Sequence, residues 1–254
     1  MKTLFLALIF AIPSSAFCSE YHYSVKVTDE VTIQAMKKTG SWKPGCPVLP
    51  EDLRIVELTH HTFEGPDAQG KILVHKSIAT EVGDIFGELY SIGFPIAKLR
   101  LIDDYNASDD ASMNDNNSSA FNCRPITGMT GQFSNHSWGA AIDLNPTMNP
   151  YFKPKTPELL NLFRAGITAS TLDSTLPSLL NIFCLNAPEN CLVLPASASN
   201  LLDRSIVRAG TVTPTSAALK IFTKHGWTWG GNWPLNPADR VRSDTQHFEK
   251  RLIQ

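Results

Sequence analysis

One aspartate stands inside an apolar run near the middle of the chain: Ala140-Ala141-Ile142-Asp143-Leu144, preceded by Ser134-Asn135-His136-Ser137-Trp138-Gly139. A run of this kind reads as a short buried strand. A carboxylate placed in it needs a cation, a metal ion or hydrogen-bond donors to offset its lost hydration. His136 is the nearest group that could share a metal ion with Asp143. A straight strand would put the two on opposite faces, with about 23 Å of rise between them. A straight helix would align them, but roughly 10 Å apart. Neither arrangement suits a single ion whose ligands sit ~2.0–2.2 Å away. If both residues are ligands, the chain must bend between them, and Gly139 is the residue that permits the bend. The alternative for Asp143 is a strand-end carboxylate bonded to backbone donors.

A third element lies towards the C-terminal end, in Asp244-Thr245-Gln246-His247-Phe248-Glu249. His247 would complete a set of two histidines and one carboxylate. Three protein ligands leave a fourth position for water, the layout of a catalytic rather than a structural zinc site. Asp244, three residues earlier, supplies a nearby carboxylate that need not bind the ion. His22, His60, His61, His75 and His225 lack such surroundings and read as surface or packed imidazoles.

The first residues constrain the compartment. Lys2 precedes the apolar run Leu4–Ile12, which ends in Pro13, Ser14, Ser15 and Ala16. That run is too short to span a bilayer and fits a cleaved signal peptide, with cleavage after Ala16 or Cys18. No other stretch approaches ~18 uninterrupted apolar residues, so the expectation is a soluble periplasmic or secreted protein without a membrane span. Export turns Cys46, Cys123, Cys184 and Cys191 into candidates for two disulfides. Cys184 and Cys191 flank the turn-rich Asn186-Ala187-Pro188-Glu189-Asn190, which leaves Cys46 with Cys123. With 22 Lys+Arg against 24 Asp+Glu and no long basic run, a nucleic-acid partner is not expected.

Strands are expected at 23–27, 53–58, 71–75 and 97–101. Ile78, Val82, Ile85, Phe86, Leu89 and Ile92 recur at helical spacing, with Ser77 as N-cap and Gly93 as terminator. The polar stretch Asn106–Ser119 reads as a solvated loop, and 121–124 and 139–144 as short strands. A second helix should start at Pro214 and stop at His225-Gly226. The Pro/Ser/Leu-rich region at about 153–200 reads as an insertion with its own disulfide. Strands and helices interleave without regular crossover units, so the class is α+β, with a small, mostly antiparallel sheet and packed helices. The organisation is a signal peptide at 1–18, an N-terminal arm at 19–65 and one domain at 66–254 carrying the insertion.

Ser134-x-His136-x-x-Gly139-x-Ala141-x-Asp143 resembles the S-x-H-x-x-G-x-A-x-D motif of zinc D-alanyl-D-alanine carboxypeptidases. That family also includes phage L-alanyl-D-glutamate endopeptidases and the vancomycin-resistance D,D-peptidases. Supporting strings are Ser119-Ala120-Phe121-Asn122-Cys123-Arg124, Asp143-x-Asn145-Pro146, Gly226-Trp227-x-Trp229-Gly230-Gly231-x-Trp233 and Gln246-His247-Phe248-Glu249. The resemblance runs from roughly 44 to 250 and is interrupted by the insertion. It implies a hedgehog/D-Ala-D-Ala peptidase-like fold, a Zn2+ ion held by His136, Asp143 and His247, and Asp244 as general base. It also implies Arg124 as a catalytic or substrate-binding residue, and Ser134 and Trp233 as substrate contacts. The expected substrates are peptidoglycan stem peptides, with removal of terminal D-alanine as the leading reaction. The alternatives are an L-alanyl-D-glutamate-type endopeptidase and a catalytically silent module that grips cell-wall peptide. Arg124 has a second reading, as an arginine packed against the acidic 103–115 segment. The chain departs from the family at Asn232, where relatives often carry Asp, and in the insertion. Its oligomeric state is not fixed by sequence.

Overall fold

Alternation along the N-terminal third is resolved into one sheet. β1 (Tyr23–Val27), β2 (Leu53–His60) and β3 (Ala68–His75) pair antiparallel in the order β1-β2-β3. Between the first two runs α1 (Glu30–Thr39), capped by the Asp29 carboxylate, which accepts from Thr32 N at 2.8 Å. The computed structural model of the chain describes residues 20–126, 131–165, 176–233 and 242–252. The expected signal peptide therefore lies outside the described residues, as does part of the expected insertion. The segment expected as an arm contributes β1 and β2 to a sheet that β3 completes.

Period-two alternation gives this sheet two covered faces. Val56, Leu58, Ile72 and Val74 point to one core; Leu53, Ile55 and Leu73 point to another, shared with Met36 and Phe121. α2 (Ala79–Ser91) lays Val82, Ile85, Phe86 and Leu89 on the first face. Ser77 does not cap it. The capping position is Ile78, which makes no side-chain bond, and the Ser77 hydroxyl instead lies 2.7 Å from His75 Nδ1. Gly93 follows the helix in the left-handed region, as expected of a terminator.

Asn106–Ser119 is not a solvated loop. It folds into α3 (Asp109–Asn114) and a strand β5 (Asn117–Ser118) that pairs parallel with β4 (Lys98–Leu99). Asn117 is fully buried, and its amide accepts from Arg100 N at 2.8 Å and donates to Arg100 O and Ser112 Oγ. Side-chain amides here take the place of backbone partners, which a reading by polarity alone misses. Residues 121–124 form no strand. Their amides go to scattered acceptors, Phe121 N to Leu73 O and Cys123 N to Ser41 O.

β6 (Ala141–Asp143) precedes β7 (Tyr151–Pro154), α4 (Pro157–Ala165), α5 (Leu176–Asn186) and β8 (Cys191–Leu194). The expected insertion thus carries regular structure and a small core of Phe152, Leu180, Val193, Ala198 and Leu202 around the Cys184–Cys191 disulfide. α6 (Ala217–Lys224) starts three residues later than Pro214. The reason is Ser216, whose hydroxyl accepts from Leu219 N and caps the first turn. β9 (Thr228–Trp229), β10 (Ser243–Asp244) and β11 (His247–Glu249) complete the chain's strands. They form two further sheets, ordered β6-β11-β9 and β10-β7-β8.

The class is α+β, with several small antiparallel sheets rather than one. The main core joins the first sheet to β6-β11-β9: Ile142 and Leu144, Phe222 of α6, Trp227 and Phe248 pack with α2 and the first sheet. Phe222 and Phe248 stack with centroids 3.8 Å apart, and truncating either would cost about 3–5 kcal/mol. Both expected disulfides, Cys46–Cys123 and Cys184–Cys191, are present.

Candidate metal centre and cleft

The bend that the sequence demanded is a single helical turn. Ser134 caps a 3-10 turn over Asn135–Trp138, and Gly139 ends it with φ +64°. Glycine is required here twice. The backbone conformation is left-handed, and a Cβ would stand 2.6 Å from His75 N, where β3 donates a 2.9 Å bond to Gly139 O. Beyond the turn the chain enters β6, and antiparallel pairing with β11 sets Asp143 directly opposite His247. Directly opposed residues share a face. His136, returned by the turn, meets them there.

His136, Asp143 and His247 are 3%, 8% and 5% exposed as residues. One ligand-capable atom from each lies within 4.8 Å of the others. His136 Nε2 is 3.2 Å from both His247 Nδ1 and Asp143 Oδ2, and His247 Nδ1 is 3.0 Å from Asp143 Oδ1. The outward nitrogens are occupied: His136 Nδ1 donates to Ala120 O at 2.5 Å, and His247 Nε2 to Glu249 Oε2 at 3.0 Å. Histidine ligands characteristically have such partners on the nitrogen that faces away from the ion. Burial works to raise the Asp143 carboxyl, but the imidazoles of His136 and His247 outweigh it and hold the group well below the usual carboxylate range. Burial also opposes charge on His247, yet its bonds to Asp143 and Glu249 push it up to about 10. Two imidazole nitrogens and a carboxylate converge on one enclosed space. The set fits a metal ion with an open position.

Asp244 reaches the same space from β10, opposite Tyr151 of β7. Tyr151 and Phe152, the residues of β7 that pair with β10, lie just before the expected insertion. The turn at Gly230 packs against Asp244, and a Cβ on Gly230 would meet Asp244 O at 2.6 Å and His247 Cβ at 3.2 Å. Asp244 Oδ1 is enclosed and has no hydrogen-bond partner among the described residues. Burial pushes its carboxyl up to about 6, against the pull of the His247 charge. All four residues line one cleft of about 640 Å³.

Residues 127–250 match the family model described as D-alanyl-D-alanine carboxypeptidase. Over these residues the chain is similar to the D-alanyl-D-alanine carboxypeptidase family. No curated protein and no solved structure matches the chain. The carboxypeptidase-like segment contains His136, Asp143, Asp244 and His247, and it begins beyond Arg124 and the first sheet. The match supports a peptidase.

Around this cluster, Arg124, Ser134 and Trp233 line the cleft as well. Arg124 also makes the contact of its second reading: its Nε pairs with Asp109 of the acidic segment, and Nη1 donates to Pro125 O at 3.3 Å. Ser134 accepts from His136 N at 3.4 Å and so shapes the turn. The Trp233 ring leans on His247, centroids 5.1 Å apart, whereas Trp227 and Trp229 are core residues. None of the other described histidines joins the group; His225, for one, pairs with Glu88 at 2.7 Å.

Two cleft residues were not anticipated. Glu249 bonds His247 and accepts from Asn135 Nδ2 at 2.6 Å. Its position two residues beyond His247 on a strand, hence on the same face, was the available signal. Arg242 lies over the Trp233 ring, its Cζ 4.7 Å from the centroid. It precedes Asp244 by the same two-residue step, but nothing in the sequence marks it as a cleft residue.

Proposed function

We propose that the protein is a zinc-dependent peptidase that hydrolyses peptide bonds in peptidoglycan stem peptides, with removal of terminal D-alanine as its reaction. One observation carries this reading: in a segment similar to the carboxypeptidase family, a buried His136/Asp143/His247 set shares a cleft with an aspartate that has an unpartnered oxygen. His136 Nε2, an Asp143 oxygen and His247 Nδ1 are the atoms that would hold the ion. Zinc bound there would supply Lewis acidity to a substrate carbonyl and to a water molecule.

The chain's own residues do the rest. Asp244, with its carboxyl raised to about 6, is a proton acceptor matched to neutral solution: it takes the proton of the attacking water and passes it to the leaving amine. An enclosed carboxylate oxygen left without a donor costs about 1–3 kcal/mol, a cost that base catalysis explains and a silent binding module does not. Arg124, held by Asp109, lines the cleft, where its N–H groups serve the developing oxyanion. Ser134 and the Trp233 ring offer polar and apolar contact to the peptide. Two disulfides support an oxidising, periplasmic or secreted location, and no helix among the described residues is long and apolar enough to cross a membrane.

Incubating the zinc-loaded protein with purified muropeptides and reading the products by mass spectrometry tests the proposal. Loss of a single terminal alanine is the expected result. Release of the stem peptide after its first L-alanine would assign the same centre to an endopeptidase. Intact muropeptides in the presence of bound zinc would contradict both.

A further inference from the structure

Among the described residues, Arg124 and Arg242 line the cleft, and their circumstances differ. Arg124 is already neutralised by Asp109. Arg242 makes no ion pair with a carboxylate of the described residues; its side chain hydrogen-bonds that of Tyr151. Its guanidinium carbon lies over the Trp233 ring, 4.7 Å from the centroid, and the Trp233 ring in turn rests against His247 at 5.1 Å. A guanidinium carries five N–H donors, so one bonded to a tyrosine still has a fork that matches a carboxylate. A partly buried cation that makes no ion pair among the described residues is stabilised by a ligand carboxylate. We infer that Arg242, braced on Trp233, anchors a carboxylate of the peptide substrate one aromatic ring away from the candidate metal ligands.

This inference rests on the peptidase reading and names the group by which that site selects its substrate. A stem pentapeptide offers two such groups, the C-terminal carboxylate and the α-carboxylate of its γ-linked glutamate. Both present the same chemistry to the fork, and amidation distinguishes them.

The test measures binding by calorimetry in the zinc-loaded Asp244→Asn protein, so that turnover does not intervene. The ligands are the free pentapeptide, the peptide amidated at its C-terminus, and the peptide amidated at the glutamate. One of the two amidations should weaken binding about 10–100-fold, the worth of a charge-assisted bond. Adding Arg242→Gln should weaken the free peptide by a similar factor and abolish the difference between free and amidated forms. Arg242→Lys, which keeps the charge but not the fork, should fall between. Arg124→Gln should leave the discrimination in place. The inference is overturned if Arg242→Gln preserves the discrimination, if Arg124→Gln is the change that removes it, or if amidation has no effect in any form. Cleavage of muropeptides by the unmutated protein in those cases would leave the peptidase reading standing. Failure of the Asp244→Asn protein to bind any of the three peptides would overturn both.

Discussion

At the scale of single residues, the site depends on which nitrogen of each imidazole faces inward. Ala120 O takes the Nδ1 proton of His136, and Glu249 takes the Nε2 proton of His247. Glu249→Ala removes that acceptor and leaves the His247 ring free to turn or change tautomer. Zinc affinity, measured by competition with a chelator, should fall about 10–100-fold, with the fold retained. Unchanged affinity would show that Glu249 does not orient the ligand. The same hydrogen bonds set a pH dependence. His247 in the metal-free protein is held up to about 10, so at neutral pH it carries a proton that a ligand must lose. Zinc uptake should therefore release a proton and tighten as pH rises from neutral towards 10. Calorimetry in buffers of different ionisation enthalpy reads this directly, and a heat independent of buffer would contradict it. Asp143, held low, stays ionised throughout. His136, Asp143 and His247 were legible in the sequence because their residue types and the intervening Gly139 already state the chemistry. Glu249 and Arg242 were not, because their roles follow from a strand face and a neighbouring ring.

At the scale of elements, Gly139 is where chemistry and fold meet. Its φ of +64° and the 2.6 Å approach that a Cβ would make to His75 N oppose any side chain. Gly139→Ala should lower the melting temperature by an amount equivalent to several kcal/mol, since the left-handed backbone alone costs roughly 1–2. It should weaken zinc binding as well, because the turn presents His136. Stability equal to the unmutated protein would mean that the turn is not the constraint described. α2, α6 and the long strands were readable from periodicity, whereas α1, α3, α4 and α5 were not. The two- and three-residue strands β4, β5, β6 and β9 to β11 have too little length to show a period, and Asn117 shows how a polar segment can be built into a core. The 153–200 region gave no hint that its strand β8 pairs with β7, the strand that also pairs with the one carrying Asp244.

At the scale of the whole molecule, the carboxypeptidase-like segment does not stand alone. Gly139 packs on β3, residues 121–123 bond to the first sheet and to Ser41, and the main core draws on both parts. The Cys46–Cys123 bridge closes a span of 77 residues across that junction, whereas Cys184–Cys191 closes one of 7. On the chain-entropy model the longer bridge contributes about 4–5 kcal/mol and the shorter roughly 2–3. Removing Cys46–Cys123 by paired substitution to serine should thus lower the melting temperature more than removing Cys184–Cys191. The reverse order would argue that the junction is not load-sharing.

The central claim, that three side chains hold zinc while a fourth moves protons, is tested most directly by comparing Asp244→Asn with Asp143→Asn. Zinc content, melting temperature and muropeptide cleavage are measured for both. Asp244→Asn should keep zinc and fold and lose activity by about 10²–10⁴-fold, because the amide cannot accept the proton. Asp143→Asn should lose zinc itself, since the ligand loses its charge. If Asp244→Asn sheds zinc as Asp143→Asn does, or keeps full activity, the division of roles is wrong.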